Sequence, residues 1–112
     1  MNATAFSLVL AGVALAQASD TSLRGTVGPG YSIKLTDPGG AALTRVDAGP
    51  AELEVEDLAT GHNFHLFGPG GVDVSTTVEG TGKSRFAVTL VEGTYLFVCD
   101  PHADSMRGSF VV

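Results

Sequence analysis

A thiol, an imidazole and a thioether are grouped within eight residues near the end of the chain. They are Cys99, His102 and Met106, with two residues between the first pair and three between the second, and His62 offers another imidazole upstream. Two imidazoles, a thiolate and a weak thioether are the ligand set of a blue-copper electron-transfer centre. Because soft sulfur suits Cu(I) and imidazole suits Cu(II), this mixture accepts the metal in both oxidation states. The spacing therefore predicts one type 1 copper ion.

The elements that position these residues are predicted to be β-strands. Apolar residues recur mostly with period two, and glycine or proline turns interrupt the pattern every eight to twelve positions, which is typical of an all-β sandwich or barrel. The clearest alternation sets Glu52, Glu54 and Glu56 against Leu53 and Val55. The predicted strands are 23–27, 31–36, 43–47, 51–58, 62–67, 72–78, 84–91, 94–99 and 108–112, with little helix.

Length and charge restrict the function classes. A chain of 112 residues is expected to form one functional domain, too small for a large enzyme scaffold. Twelve acidic against six basic residues leave a net charge of −6 without a cluster of lysine or arginine, so nucleic acid is excluded as an expected partner. The flank of Glu52, Glu54 and Glu56 is expected to speed association with a basic redox partner, for example a c-type cytochrome.

The amino-terminal segment has the pattern of a secretory signal peptide. Residues 5–16 are uncharged and apolar, and Ala16-Gln17-Ala18 follows as a cleavage site, although no lysine or arginine precedes them. Twelve residues are too few to span a bilayer, and no second apolar stretch follows. The prediction is a signal peptide over residues 1–18, a mature domain over 19–112 and a periplasmic or secreted location; the alternative is a short core helix.

The single cysteine has a consequence for an exported protein. Cys99 has no partner within the chain, so a disulfide framework is impossible. A lone thiol in an oxidising compartment is a hazard unless it is buried, paired between chains or bound to something. Binding to a metal is the interpretation that also accounts for its neighbours.

The motifs resemble those of the cupredoxins, specifically the plastocyanin, amicyanin and pseudoazurin group. The matching segments are 61–64, 93–102 and 106–108. The resemblance implies an eight-stranded Greek-key β-sandwich over residues 19–112, with copper at one end. The loop holds three residues between His102 and Met106, one more than in amicyanin and one fewer than in plastocyanin and pseudoazurin. Carried over by position, the metal ligands are His62, Cys99, His102 and Met106, and Asn63 ties the ligand loop to the neighbouring strand.

Two histidines compete for the upstream ligand position. His62 and His65 differ by three residues, so strand alternation puts them on opposite faces and only one can face the metal. The resemblance and the following Asn63 favour His62, which leaves His65 at the surface or in support of a ligand.

The neighbours of the ligands have simpler interpretations. Tyr95 and Phe97 are expected in the sandwich core. Hard carboxylates are poor partners for copper beside a thiolate, so Asp100 and Asp104 are interpreted as solvated loop charges. The glycine-rich turns at 68–71 and 80–83 lack the spacing of a phosphate loop and are expected to be hairpin turns. A flat docking face is expected from Pro101, Ala103, Gly68 and Pro69.

The sequence predicts a small exported copper protein that carries single electrons between redox partners. It is expected to be a monomer without a membrane span and not an enzyme, since hydrolase motifs are lacking and three histidines leave none for further copper sites. The first alternative is a periplasmic copper carrier that delivers the ion without relaying electrons. The second is a metal-free accessory module.

Overall fold

Alternating apolar residues build eight strands within residues 20–112, the part of the chain that the computed structural model describes. The predicted signal peptide, residues 1–18, and Ser19 lie outside the described residues. Within them no helix is long and apolar enough to cross a bilayer. The strands are β1 (Thr21–Val27), β2 (Ile33–Thr36), β3 (Gly49–Asp57), β4 (His65–Phe67), β5 (Asp73–Ser75), β6 (Gly82–Leu90), β7 (Thr94–Val98) and β8 (Arg107–Val111), with short 3-10 turns at Pro69–Gly71 and Asp100–His102.

The strands form two four-stranded sheets. The first has the order β2-β1-β3-β6, and the second has the order β5-β4-β7-β8. Strand β3 pairs parallel with β1 and antiparallel with β6, whereas the other pairs are antiparallel. A parallel pair needs a long crossover, and here the chain leaves β1 through β2 before it returns as β3. The predicted all-β sandwich of about eight strands is confirmed.

The core lies between the two sheets. The alternation predicted for β3 is present: Leu53 and Val55 are buried, while Glu52 and Glu56 are exposed. Two aromatic stacks fill the second sheet's inner side. Tyr95 stacks on Phe110 with ring centroids 5.2 Å apart, and Phe64 stacks on Phe97 at 5.6 Å. The prediction that Tyr95 and Phe97 belong to the core is confirmed.

The segments 43–47 and 80–83 differ from the sequence expectations about secondary structure. Residues 43–47 form no full strand; the backbone there makes only a bridge of Arg45 to Val111, with Val46 N donating to Val111 O at 2.9 Å. The glycine-rich turn at 68–71 joins the antiparallel strands β4 and β5, as expected for a hairpin. The turn at 80–83 instead leads from the second sheet into β6 of the first. Period-two patterning cannot distinguish a hairpin from a crossing between sheets, because both preserve the alternation.

One end of the second sheet gathers the residues singled out for their chemistry. Strand β7 ends at Val98, immediately before Cys99, and β8 begins at Arg107, immediately after Met106. Strand β4 starts at His65, so His62 lies in the loop that leads into it. Because β4 and β7 are antiparallel neighbours with His65 opposite Val98, the loop before β4 and the loop after β7 lie at the same end of the sheet.

Candidate metal centre

The segment from Cys99 to Met106 is a closed loop. Cys99 N donates to Met106 O at 3.0 Å, and inside this closure His102 N donates to Cys99 O at 2.9 Å. The carbonyl of His102 then accepts from Ser105 N at 3.0 Å and Met106 N at 2.8 Å. These bonds fold the loop into consecutive tight turns. Cys99 and Met106, the two ends of the loop, therefore stay close together although three residues separate His102 from Met106.

Three donor atoms converge in this loop and the one before β4. Cys99 Sγ lies 3.6 Å from His62 Nδ1 and 3.6 Å from His102 Nδ1, and the two nitrogens are 3.2 Å apart. With bonds of about 2.0 Å to imidazole and 2.3 Å to thiolate, these separations subtend angles of about 105–115° at a common ion. The three side chains therefore fit one metal ion without rearrangement.

Burial differs among the donors. Cys99 is fully buried at 0% exposure, and His62 is buried, whereas His102 is half-buried. A buried thiol with two imidazoles at contact distance is shielded from solvent oxidants, which meets the requirement placed on a lone cysteine. His102 is thus the donor through which the centre reaches the surface.

Met106 ends the loop that begins at Cys99. It is buried at 1% exposure, and its backbone bonds connect it to both Cys99 and His102. A thioether is a weak ligand, and the axial position of a blue-copper centre is held by such a weak, long contact. The fold therefore brings Met106 into the same closed loop as Cys99 and His102.

Asn63 connects the two ligand loops. Its backbone N–H donates to Cys99 Sγ at 3.4 Å, a bond that stabilises negative charge on the sulfur. Its side chain donates to Asp100 Oδ2 at 2.8 Å and accepts from Asp100 N at 2.8 Å. A further bond, from Asn63 Nδ2 to Thr76 O at 3.3 Å, reaches the chain beyond β5. The expectation that Asn63 ties the ligand loop to its neighbours agrees with these contacts.

Of the two upstream histidines, His62 lies beside the thiol. The reason given from alternation is wrong, because β4 begins only at His65 and His62 belongs to a loop. His65 lies on the outer side, with Nδ1 3.0 Å from Asp100 Oδ1 and Nε2 2.6 Å from Asp73 Oδ1. Asp100 is exposed, as expected of a loop charge, but its carboxylate also bonds both His65 and Asn63. Asp104 is exposed, as expected.

The carboxylates shift the protonation of His65. Burial lowers the pKa of His65, but hydrogen bonds and charge attraction from Asp100 and Asp73 outweigh it and raise the pKa above its ordinary value of 6.5. For Asp100, burial raises the pKa, but the bonds from His65 and Asn63 outweigh it and lower the pKa below 3.8. The two carboxylates thus stabilise the imidazolium form of His65.

Tyr31 is a residue of this site that the sequence did not single out. It lies in the loop between β1 and β2 and is 72% exposed. Its ring meets those of His62 and His102 edge to face, with centroids 5.3 and 4.9 Å apart. The only sequence signal was an isolated tyrosine after a Gly-Pro-Gly turn, which carries no information about a loop of the other sheet.

The expected docking face is partly wrong. Pro101 and Ala103 follow Cys99 and belong to the donor end. Pro69, however, lies against Gly93, and its carbonyl accepts from Tyr95 Oη at 3.0 Å. Both contacts are at the start of β7, whereas the donors lie beyond its end, so Gly68 and Pro69 are at the opposite end of the sandwich. Tyr31 takes their place next to His102.

The acidic flank is also less negative than its sequence implies. Arg85 contacts Glu52 at 3.5 Å and Glu54 at 3.3 Å, and Arg24 contacts Glu54 at 3.7 Å. Glu56 is in register with Lys83 on β6. Neighbouring strands thus place a cation beside each glutamate, which reduces the field that this face can exert on a partner.

The sandwich of two four-stranded sheets has the architecture of the cupredoxin fold. No protein-family model matches the chain. The chain is 49% identical over 51 residues to plastocyanin of Daucus carota, covering 39% of this chain and 52% of that protein. The chain thus spans about half the length of this curated relative.

Two solved structures have the same fold. Rusticyanin from Thiobacillus ferrooxidans superposes with a TM-score of 0.58 at 19% identity, over 84% of this chain and 79% of that one. A reduced Cu(I) form of an amicyanin variant superposes with a TM-score of 0.53 at 21% identity, over 87% of each chain. At these identities the likeness establishes the cupredoxin fold.

Proposed function

We propose that this domain binds one copper ion and carries single electrons between redox partners. The observation that carries the proposal is the triangle of Cys99 Sγ, His62 Nδ1 and His102 Nδ1, with sides of 3.2 to 3.6 Å. A copper ion bound there would supply a one-electron couple between Cu(II) and Cu(I). The amicyanin that shares this fold is known in a reduced Cu(I) form, which supports a copper-binding role.

Each ligand has a distinct task in this proposal. His62, Cys99 and His102 would hold the ion, and Met106 would add a weak thioether donor. Asn63 holds the sulfur through its backbone N–H and ties both loops together. Because the donors lie at bonding separations, they need little movement to follow a change of charge on the ion, and small reorganisation favours fast electron transfer.

His102 and Tyr31 define the proposed surface for electron exchange. His102 is the half-buried donor, and Tyr31 covers one side of its ring while remaining exposed itself. A redox partner that docks on Tyr31, Pro101 and Ala103 comes within contact distance of the imidazole. Such a face is small, as expected for a transient redox complex.

The charge of the chain favours a basic partner, and a c-type cytochrome is the partner class that we propose. The net charge is −6, but Glu52 and Glu54 contact arginines and Glu56 lies opposite Lys83, so the steering charge includes Asp104 at the donor end. We expect the association rate to fall as salt is added. A rate that does not depend on ionic strength would refute this steering.

Export is part of the proposal. The apolar segment at 5–16 with Ala16-Gln17-Ala18 supports a signal peptide, and a periplasmic or secreted location follows from it. Mass spectrometry of the protein recovered from outside the cytoplasm should show an amino terminus at Ser19. Retention of residues 1–18 in the mature protein would contradict it.

Copper uptake can be tested with the purified apo-protein. One equivalent of Cu(II) should produce an intense visible thiolate-to-copper band in the wild type and no such band in Cys99→Ser. Ser109→Ala, an exposed change on β8, is the matched control and should behave as the wild type. If Cys99→Ser binds copper with the same colour, the proposed site is wrong.

Electron exchange separates the shuttle from a copper carrier. If the copper-loaded protein exchanges electrons rapidly between its Cu(I) and Cu(II) forms, and is reduced by a cytochrome, the shuttle is supported. Copper binding with sluggish exchange would favour the carrier instead.

A further inference from the structure

His65 bridges two carboxylates that come from different parts of the second sheet. Its Nε2 lies 2.6 Å from Asp73 Oδ1 on β5, and its Nδ1 lies 3.0 Å from Asp100 Oδ1 beyond β7. The side chain is 25% exposed, so these contacts are only partly screened by water. Each ring nitrogen has a carboxylate acceptor, and only the imidazolium can donate to both at once.

Asp100 transmits this contact to the donor loops. While Oδ1 faces His65, Oδ2 accepts from Asn63 Nδ2 and the backbone N–H of Asp100 donates to Asn63 Oδ1, both at 2.8 Å. Asn63 in turn donates from its backbone to Cys99 Sγ. A continuous series of hydrogen bonds therefore runs from the surface of the sheet to the sulfur.

Without His65, nothing described in the structure would hold the outer oxygen of Asp100. The Asp100 side chain is 50% exposed, so water would compete for the carboxylate and allow it to turn away from Asn63. The other charged group on this face is Arg107, which is in register with Val98 and is therefore two strands away from His65. Asp73 and Asp100 thus dominate the surroundings of the imidazole.

We propose that His65 is a positioning residue of the metal centre, which fixes the Asp100 carboxylate against Asn63 and so holds the two ligand loops in register. This inference rests on the proposed function, because the loops matter as holders of copper. It makes His65 more than a surface histidine: a change at the outer face of β4 is expected to alter the environment of Cys99 without touching a ligand.

The first test uses the apo-protein and needs no copper. In His65→Gln, hydrogen exchange of the Asn63 side-chain amide, followed by NMR, should accelerate about tenfold, because one charge-assisted bond to Asp100 or Asp73 is lost. Ser75→Ala changes the exposed register partner of His65 and is the matched control. Unchanged exchange in His65→Gln would overturn the proposal.

The second test uses the copper-loaded protein. A positive charge on His65 favours the reduced ion, so the reduction potential of the wild type should be higher below the titration of His65 than above it. In His65→Gln this step should be absent, while Ser75→Ala retains it. A pH profile that is the same in His65→Gln and wild type would also overturn the proposal. If the wild type takes up no copper, the proposed function fails, whereas the amide exchange still decides whether His65 positions the loops.

Discussion

Asn63 and Asp100 bond each other in both directions, with side-chain amide to carboxylate and backbone N–H to amide oxygen each at 2.8 Å. The two residues are 37 positions apart, and each is adjacent to a donor: Asn63 follows His62, and Asp100 follows Cys99. This pair is therefore the shortest connection between the two ligand loops.

Replacing the amide should release this connection. Asn63→Ala removes both bonds from a buried side chain, so the free energy of unfolding of the apo-protein should fall by about 1–3 kcal/mol. Chemical denaturation measures this free energy of unfolding. Thr60→Ala, an exposed hydroxyl that donates to Glu79 O, should change it by less than about 0.5 kcal/mol. Equal stability of Asn63→Ala and wild type would show that the pair is not structurally important.

Tyr31 should control access of reagents to His102. In Tyr31→Ala the ring that covers the imidazole is lost, so modification of His102 in the apo-protein by diethyl pyrocarbonate should become severalfold faster. Peptide mapping by mass spectrometry resolves His102 from His65. Tyr31→Phe retains the edge-to-face contact and should react at the wild-type rate. If Tyr31→Ala shows no acceleration, the tyrosine does not shield the imidazole.

The carboxylates around His65 predict a pH dependence of stability. The pKa of His65 in the folded state lies above 6.5. Its contribution to the free energy of unfolding is therefore fully present below pH 6.5 and is lost as the pH rises through the pKa of the folded state. Because the pKa of Asp100 is lowered in the folded state, its contribution to the free energy of unfolding is present above pH 3.8 and is lost as the pH falls through the pKa of the folded state. Urea unfolding should therefore show a larger deficit of His65→Gln relative to wild type at pH 5 than at pH 9. A deficit independent of pH would contradict the ion pairs.

Gly25 should tolerate no side chain. A Cβ there would lie 2.7 Å from the ring of Phe64, the residue after Asn63, so Gly25→Ala forces the ring to move. Overpacking of this kind costs about 1–3 kcal/mol, measurable by thermal unfolding. At Gly39 the nearest atom to a new Cβ is Asp37 Oδ1 at 3.4 Å, and Gly39→Ala should cost less than about 0.5 kcal/mol. Equal effects of the two alanines would refute the packing argument.

Met106 should tune the potential rather than hold the ion. Met106→Leu conserves volume at a buried position, so its cost in unfolding free energy should stay below about 1.5 kcal/mol. The copper-loaded variant should keep an intense thiolate-to-copper band but show a higher reduction potential by voltammetry, because a sulfur donor to the oxidised ion is lost. Leu90→Met makes the reverse change in the core and should leave the potential unaltered. An unchanged potential in Met106→Leu would remove the thioether from the ligand set.

Local sequence carries a large share of this site. The chemistry of Cys99, His102 and Met106 depends on residue type and on a spacing of a few residues, both of which can be read along the chain. Alternation in β3 likewise predicts which side chains are buried, since a strand's period of two follows from backbone geometry. The all-β class and the donor end of β7 needed no more than this.

The contacts between loops were decided by the tertiary structure alone. The start of β4 decides which histidine lies beside the thiol, and the direction of β7 decides where Pro69 lies. The periodicity of the sequence gives neither the start of a strand nor its direction. The bonds of Asp100 with Asn63 and His65 and the cover of His102 by Tyr31 join residues 35 to 71 positions apart. Such contacts arise only when strand register and sheet packing set the loops side by side, because no local pattern encodes the distance between two chain segments.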